Sequence, residues 1–233
     1  MSASRHLICF QELLFELLWE LANNKSLVRK IMDINKIFRI PRKLRMFFYV
    51  YWNRFVFYSS KVQFGRNMRV HNKFYLHKAF SATISIGDGF IFTSGEAFNP
   101  LCKNIRGCIF ASHGASIQIG DNVGVSSACF WAKESITIGD NVKIGGGSVL
   151  IDTDAHSLDY QVRRNPDMDS RYARSAPIVI EDDVLIGTGC IVLKGVTIGA
   201  RSVIGAGSVV TRSIPEDSIA AGNPCKVIQK NEV

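Results

Sequence analysis

The sequence predicts a mainly β fold: a parallel solenoid whose turns are built from three short strands, preceded by a short α-helical N-terminal segment. Three observations carry this prediction. Aliphatic residues stand six apart, without a break, at Ile180, Ile186, Val192, Ile198, Ile204 and Val210. Glycine follows the aliphatic at Gly87, Gly120, Gly139, Gly145, Gly187, Gly199 and Gly205. Glycine is also absent from the first 60 residues and recurs from Gly65 onward. Helices and strands repeat at about 3.6 and 2.0 residues, so neither explains a sixfold spacing, whereas a fixed short repeat marks a solenoid.

The composition shift sets a domain boundary, giving an N-terminal helical and aromatic segment over 1–60 and a solenoid over 61–233. Phe10, Leu13, Leu14, Leu17, Leu18 and Leu21 fall at helical spacing with Glu12, Glu16 and Glu20 opposite. Asn23-Asn24 is a stop, Ser26 caps a second helix carrying Leu27, Ile31, Ile34 and Phe38, and Pro41 ends it. Over 42–58, Arg42, Lys43, Arg45 and Arg54 flank an aromatic run that includes Phe47, Phe48, Tyr51, Trp52 and Phe55. Such a segment offers a peripheral contact with an anionic membrane; equally, its aromatics can pack on the helices or on a partner subunit.

Within the solenoid the sixfold run recurs as Ile138, Ile144 and Leu150, and as Ile119, Val125 and Trp131, offset by one residue. Weaker runs are Phe64, Val70 and Leu76, and Ile86, Phe92 and Phe98. A small or branched residue two positions before the aliphatic (Val184, Cys190, Val196, Ser202, Ser208, and earlier Val123 and Cys129) gives each side two inward positions. Cys190 and Cys129 are therefore read as small core residues. Three such sides close one triangular coil, coils stack at about 4.8 Å, and the repeats allow roughly seven coils.

Composition bounds the function. The chain has 233 residues, 47% hydrophobic and 21% charged, a globular profile rather than a disordered one. The net charge of +8 favours anionic partners or a solvated basic surface. None of the six cysteines forms a Cys-x-x-Cys pair, which argues against a zinc ribbon or a thioredoxin-like site. Glu12 and Glu16 interrupt the first apolar stretch, so no secretion signal is read, and no run approaches the ~18 residues of a spanning helix. A reducing cytoplasm is the expected compartment, with the inner face of the membrane as the alternative placement, and no metal is expected to be required.

The repeat stops at Leu150 and resumes at Ile180, with a polar excursion at about 152–177. A solenoid can eject a loop from one corner without disturbing the stack, and long polar loops on rigid scaffolds often carry function.

Residues 117–229 resemble the hexapeptide-repeat acyltransferases, of the galactoside/maltose O-acetyltransferase type and closest to acetyltransferases of surface-polysaccharide synthesis. The likeness rests on Ile138-Gly139-Asp140-Asn141-Val142, Asp152-Thr153-Asp154-Ala155-His156-Ser157, Val192-Leu193-Lys194-Gly195, Ile204-Gly205-Ala206-Gly207 and Ala221-Gly222-Asn223-Pro224. It implies a left-handed parallel β-helix, although parallel crossovers are right-handed in about 98% of cases. It further implies a homotrimer with acetyl-coenzyme A in clefts between subunits, a sugar or glycan acceptor, and no nucleic-acid partner.

By the same resemblance His156 is the general base that takes the acceptor's hydroxyl proton, a role suited to a pKa near neutrality. Asp152 or Asp154 would hold its tautomer; equally, both can be turn-forming aspartates. The backbone N–H of Thr188 would stabilise the oxyanion. Thr188, Ala206, Thr211, Arg212 and Lys226 would line the coenzyme A cleft, the two cations meeting phosphates. Arg163 and Arg164 would meet the acceptor or stand solvated, and Ser94 and Asn99 would border its pocket. The sequence departs from the family where Leu185 replaces a frequent tryptophan, in one extra residue between Ile138 and His156, and at Gln229.

Three other readings compete. A γ-type carbonic anhydrase shares the coil but needs three convergent histidines on zinc. A non-catalytic, membrane-docked β-helix module would leave His156 dispensable. A lipid acyltransferase would draw on acyl carrier protein.

Overall fold

The structure is a computed structural model that describes residues 40–95 and 105–232, with side chains from Leu44 onward. The helices expected over 10–21 and 26–38, and Phe98 and Asn99, lie outside the described residues. The chain divides into a unit of residues 1–45 and a compact unit of residues 46–233.

From residue 63 the chain winds as a left-handed parallel β-helix with three faces. The first face stacks six strands from Gln63–Phe64 up to Thr197–Ile198. The second runs from Arg69–His71 up to Val203–Ile204 and Ser218–Ala221, and Lys226–Lys230 pairs antiparallel onto its end. The third stacks six strands from Phe74–Lys78 to Val209–Val210.

Each face presents a continuous inward ladder in register. Ile86, Ile119, Ile138, Ile180 and Ile198 climb the first. Val70, Phe92, Val125, Ile144, Ile186 and Ile204 climb the second. Leu76, Ile109, Phe130, Leu150, Val192 and Val210 climb the third. All but the half-buried Leu76 are buried, so the unbroken run from Ile180 to Val210 forms the last two complete coils of the core, with Ile214 and Ala220 stacked above them.

One run departs from its expected register. Trp131 is 37% exposed, and Phe130 takes the inward place. The side between Val125 and Phe130 is one residue shorter than its equivalents, and Ser127 turns it with a φ of 42°. The slip also moves Cys129 out of the core. It is half-buried and stands beside Cys108 across the third face, while Cys190 is buried as expected.

The glycines after the aliphatics serve close stacking. A Cβ on Gly87 would sit 2.7 Å from the carbonyl carbon of Gly120 in the next coil. The aspartates beside them tie one coil to the next: the N–H groups of Asp88, Asp121 and Asp140 donate to Asp121, Asp140 and Asp182 at 2.6, 2.6 and 2.7 Å.

Helix α1 (Ile40–Ser59) starts with Pro41 in its first turn, where the missing N–H costs nothing. Its C-terminal half packs with the solenoid, which moves the expected boundary at residue 60 back to 45/46. Phe57 is fully buried against Phe74, ring centres 5.6 Å apart, and Asn53 Nδ2 donates to the Val70 and Asn72 carbonyls at 2.8 and 3.0 Å. The opposite side of α1 leaves Phe47, Phe48, Tyr51, Trp52, Phe55 and Tyr58 exposed. No described helix is long and apolar enough to cross a membrane.

Candidate active site

The polar loop leaves the third face after Val149–Ile151 and is zipped at its base. Thr153 bridges Ser175 in antiparallel fashion, Asp154 N–H donates to Arg174 O at 2.9 Å, and Ala176 N–H donates to Asp152 O at 2.9 Å. The loop then forms helices α2 (Tyr160–Arg163) and α3 (Pro166–Tyr172). Asp159 caps α2. Asn165 caps α3, its side chain accepting from the N–H groups of Asp167 and Met168 at 3.1 and 3.2 Å. Lys133 Nζ donates to Ser170 O at 2.6 Å and fastens α3 to the coil below.

This folding delivers a carboxylate to His156. The imidazole Nδ1–H donates to Asp169 Oδ2 at 2.6 Å, and the Ser157 N–H donates to Asp169 Oδ1 at 2.6 Å. Arg163 Nη1 donates to Ser157 O at 2.6 Å and holds the same turn. The hydrogen bond from His156, with that from Ser157, keeps the Asp169 carboxyl below the usual carboxylate range despite its burial. A carboxylate can only accept, so it fixes the proton on Nδ1 and leaves Nε2 as the basic nitrogen. The His156 side chain is 70% exposed, open to an incoming substrate.

Asp169 therefore replaces both aspartates expected beside the imidazole. Asp152 is fully buried and serves the coil beneath, accepting from the N–H groups of Lys133 and Glu134 at 2.7 and 2.8 Å. Burial pushes its carboxyl up, against the pull of those bonds. Asp154 pairs with Lys194, and its Oδ2 is buried without a hydrogen-bond partner. Spacing along the chain hides Asp169 thirteen residues beyond His156. The signal available was Asn165-Pro166-Asp167, a cap, a helix-starting proline and a first-turn acid, which marks the start of α3 but does not single out Asp169, the one buried residue of that helix.

Thr188 and Ala206 occupy successive rungs at the corner between the second and third faces. A Cβ on Gly187 would lie 2.5 Å from Ala206 N, and one on Gly145 would lie 2.5 Å from Thr188 N. The corner is thus a wall of bare backbone. Among the described residues neither the Thr188 nor the Ala206 N–H donates to another group. Thr211 and Arg212 stand exposed at the far end of the third face, in line with Ile151 and Asp152 where the loop leaves, and Lys226 is exposed on the strand that ends the second face. A cavity of about 470 Å³ opens along the second face to Leu185 and Thr188 and does not include His156. One chain brings His156 and Asp169 together and carries the backbone wall at a different corner.

The expected acceptor residues divide. Ser94 is buried, donates to Lys73 O and accepts from Gly107 N–H at 2.9 Å, so it braces the coil and does not face a pocket. Asn99 is outside the described residues. Arg163 is engaged in positioning the histidine turn, and Arg164 lies over the Tyr160 ring at 5.3 Å. Among the described residues no cluster of three or more His, Cys, Asp or Glu side chains could hold a metal ion.

Residues 177–212 match the family described as bacterial transferase hexapeptide (six repeats), and residues 116–151 match the hexapeptide repeat of succinyl-transferase. The galactoside O-acetyltransferase of Escherichia coli (strain K12) is 39% identical over 123 residues, covering 52% of this chain and 58% of that protein. The chain spans under three fifths of the length of the first curated relatives it matches. Among solved structures, a hexapeptide-repeat-containing acetyltransferase from Vibrio cholerae O1 biovar eltor, complexed with acetyl coenzyme A, is 32% identical, covering 62% of this chain and 72% of that one, at a TM-score of 0.48. The polySia-specific acetyltransferase NeuO is 25% identical, covering 74% of this chain and 82% of that one, at a TM-score of 0.50.

Proposed function

This chain belongs to the hexapeptide-repeat acetyltransferase family, and from that premise we propose that it is an acetyl-coenzyme A-dependent O-acetyltransferase acting on a hydroxyl of a sugar or glycan. The observation that carries the proposal is the His156–Asp169 pair, held at 2.6 Å on a loop zipped to a rigid coil. In the reaction, His156 Nε2 takes the acceptor's hydroxyl proton as its oxygen attacks the thioester carbonyl. The Thr188 N–H donates to the oxyanion that forms. The carbon–sulfur bond then breaks, and the imidazolium returns the proton to the departing thiolate. Asp169 keeps the ring in the required tautomer and steadies the imidazolium without itself taking the proton.

The wall around Thr188 and Ala206 suits a pantetheine arm, because backbone N–H groups stand bare and no side chain blocks them. Arg212 and Lys226 are the cations for the coenzyme's phosphates. Since His156 and Thr188 stand at different corners of one chain, the working site requires a neighbouring protomer, which favours a trimer with three sites at its seams. The likeness to a galactoside O-acetyltransferase and to a polySia-specific acetyltransferase favours a glycan acceptor.

The reading extends to peripheral contact with the cytoplasmic face of a membrane through residues 42–58. Its support is the exposed aromatic side of α1 and a stretch from Ile34 to Gly87 with eleven Lys and Arg and no Asp or Glu. Sedimentation with phosphatidylglycerol vesicles checks this: binding weakens at high salt and with Trp52→Ser and Phe55→Ser. Equal sedimentation with neutral vesicles would oppose the contact.

The test of the reaction is thiol release from acetyl-coenzyme A against a panel of free, nucleotide-linked and lipid-linked sugars. Release that depends on an added hydroxyl acceptor is expected. No release with any acceptor, or release only from acyl carrier protein, would sink the reading.

A further inference from the structure

The catalytic reading leaves unused a trough of about 830 Å³ between α1 and the second face. It is lined by Tyr51 and Arg54 from the helix, by Arg69 and Lys143 from the second face, and by Asn67 and Asn122 at the corners. No ion pair among the described residues involves Arg54, Arg69 or Lys143. Lys143 lies across the space that Gly124 leaves open, where a Cβ would come 3.1 Å from its Cδ, and its Nζ donates to Asn122 O at 2.7 Å. The Arg54 guanidinium rests 5.3 Å from the centre of the Phe64 ring, which steadies the cation without neutralising it.

The trough is continuous with the cavity that reaches Thr188. The outward ladder of the second face runs Arg69, Ile91, Gly124, Lys143 and Leu185 in register. At about 4.8 Å per rung, Arg69 stands roughly 19 Å below Leu185. The cavity that ends at Thr188 shares Ile91 and Lys143 with the trough. A groove therefore leads from the proposed oxyanion donor down to three cations without carboxylate partners.

We propose that this trough binds the phosphate or diphosphate of a glycan acceptor, anchoring one end of the substrate while a sugar hydroxyl reaches the acyl group; the substrate assignment rests on the acetyl-transfer reading. Two guanidinium forks and an ammonium match a multiply charged oxyanion, and the corner asparagine amides add neutral donors. Nucleotide-linked and lipid-linked sugars both carry this group. Tyr51 joins the trough to the exposed aromatic side of α1, which favours the lipid-linked source.

The probe is inorganic pyrophosphate, titrated calorimetrically into the full chain with excess coenzyme A present to occupy the thioester cleft. The parent is expected to bind, with affinity falling about tenfold in Arg69→Ala and in Lys143→Ala. Arg201→Ala, which removes an exposed cation paired with Glu216 and Asp217, keeps the parent's affinity. Thermal unfolding of each variant verifies folding. No binding by the parent, or equal weakening in all three variants, overturns the site. Retained binding in His156→Ala supports it even if acetyl transfer fails, and that pairing separates the trough from the catalytic reading. Transfer is then measured with one sugar in three forms: free, uridine-diphosphate-linked and short-prenyl-diphosphate-linked. A lower KM for a diphosphate form, with the gap closing in Arg69→Ala, supports the proposal, and the better form names the source. One KM for all three overturns it.

Discussion

Replacing Gly145 with alanine adds one methyl group and tests how tightly the stacked corners hold the proposed oxyanion donor. The new Cβ would lie 2.5 Å from Thr188 N and 2.6 Å from the Gly187 carbonyl carbon. The first distance is short by about 0.9 Å of the 3.4 Å where ordinary contact begins, and the obstacle is backbone, which cannot swing away. The coil carrying Gly187 and Thr188 must shift. Overpacking of this kind costs about 1–3 kcal/mol, a fall in Tm of roughly 2–12 °C for a chain of this size. A donor displaced by most of an ångström loses alignment with the oxyanion, and the expected fall in kcat is about 10–100-fold. Gly114→Ala is the control. Its φ of 76° strains a side chain, but nothing lies within 4 Å of the added Cβ, so it costs stability without pushing on Thr188. The assay is thiol release from acetyl-coenzyme A beside thermal unfolding of both variants. If Gly145→Ala keeps the parent's kcat, or if Gly114→Ala loses as much, the placement of the donor is refuted.

Three further outcomes follow from the same geometry. Asp169→Asn leaves one acceptor oxygen for two donors, the Ser157 N–H and the His156 Nδ1–H, so the His156 tautomer is no longer fixed and kcat falls by about 10²-fold or more with Tm little changed; an unchanged rate would return Asp169 to a purely structural role. The Asp169 carboxyl is held below its ordinary range, so its contribution is present above that range and fades as pH falls through the lowered value. Hydrogen-exchange protection over 157–172, corrected for the intrinsic slowing of exchange in acid, should therefore fall on acidification in the parent and stay flat in Asp169→Asn. Phe130→Ala removes a fully buried ring at the centre of the third ladder and costs about 3–5 kcal/mol by chemical denaturation; a cost under 1 kcal/mol would mean Trp131 can take its place.

The fold was legible because a solenoid repeats one local rule. Ile180 to Val210 obey it, and each lies in the core where the period puts it. The rule fails where a side changes length, and no residue type announces the shortened side after Val125: Ser127 adopts a left-handed turn that its own chemistry does not demand. Trp131 and Cys129 were misplaced together for that single reason. The site was legible to the extent that it rests on His156. Its partner was hidden because Asp169 is near only after α2 and α3 have folded, and two nearer aspartates competed for the role. Their real duties, capping the coil below and pairing with Lys194, depend on contacts between coils 18–40 residues apart that no local spacing records. Ser94 braces its coil through Lys73 and Gly107, contacts that local spacing does not record either.

The most direct test compares His156→Ala with the parent in two measurements on one sample, the affinity for acetyl-coenzyme A and the rate of acetyl transfer to a glycan hydroxyl. Unchanged affinity with a rate lowered about 10²–10⁴-fold is what a histidine acting as base requires. Transfer at the parent's rate in the alanine variant would contradict it.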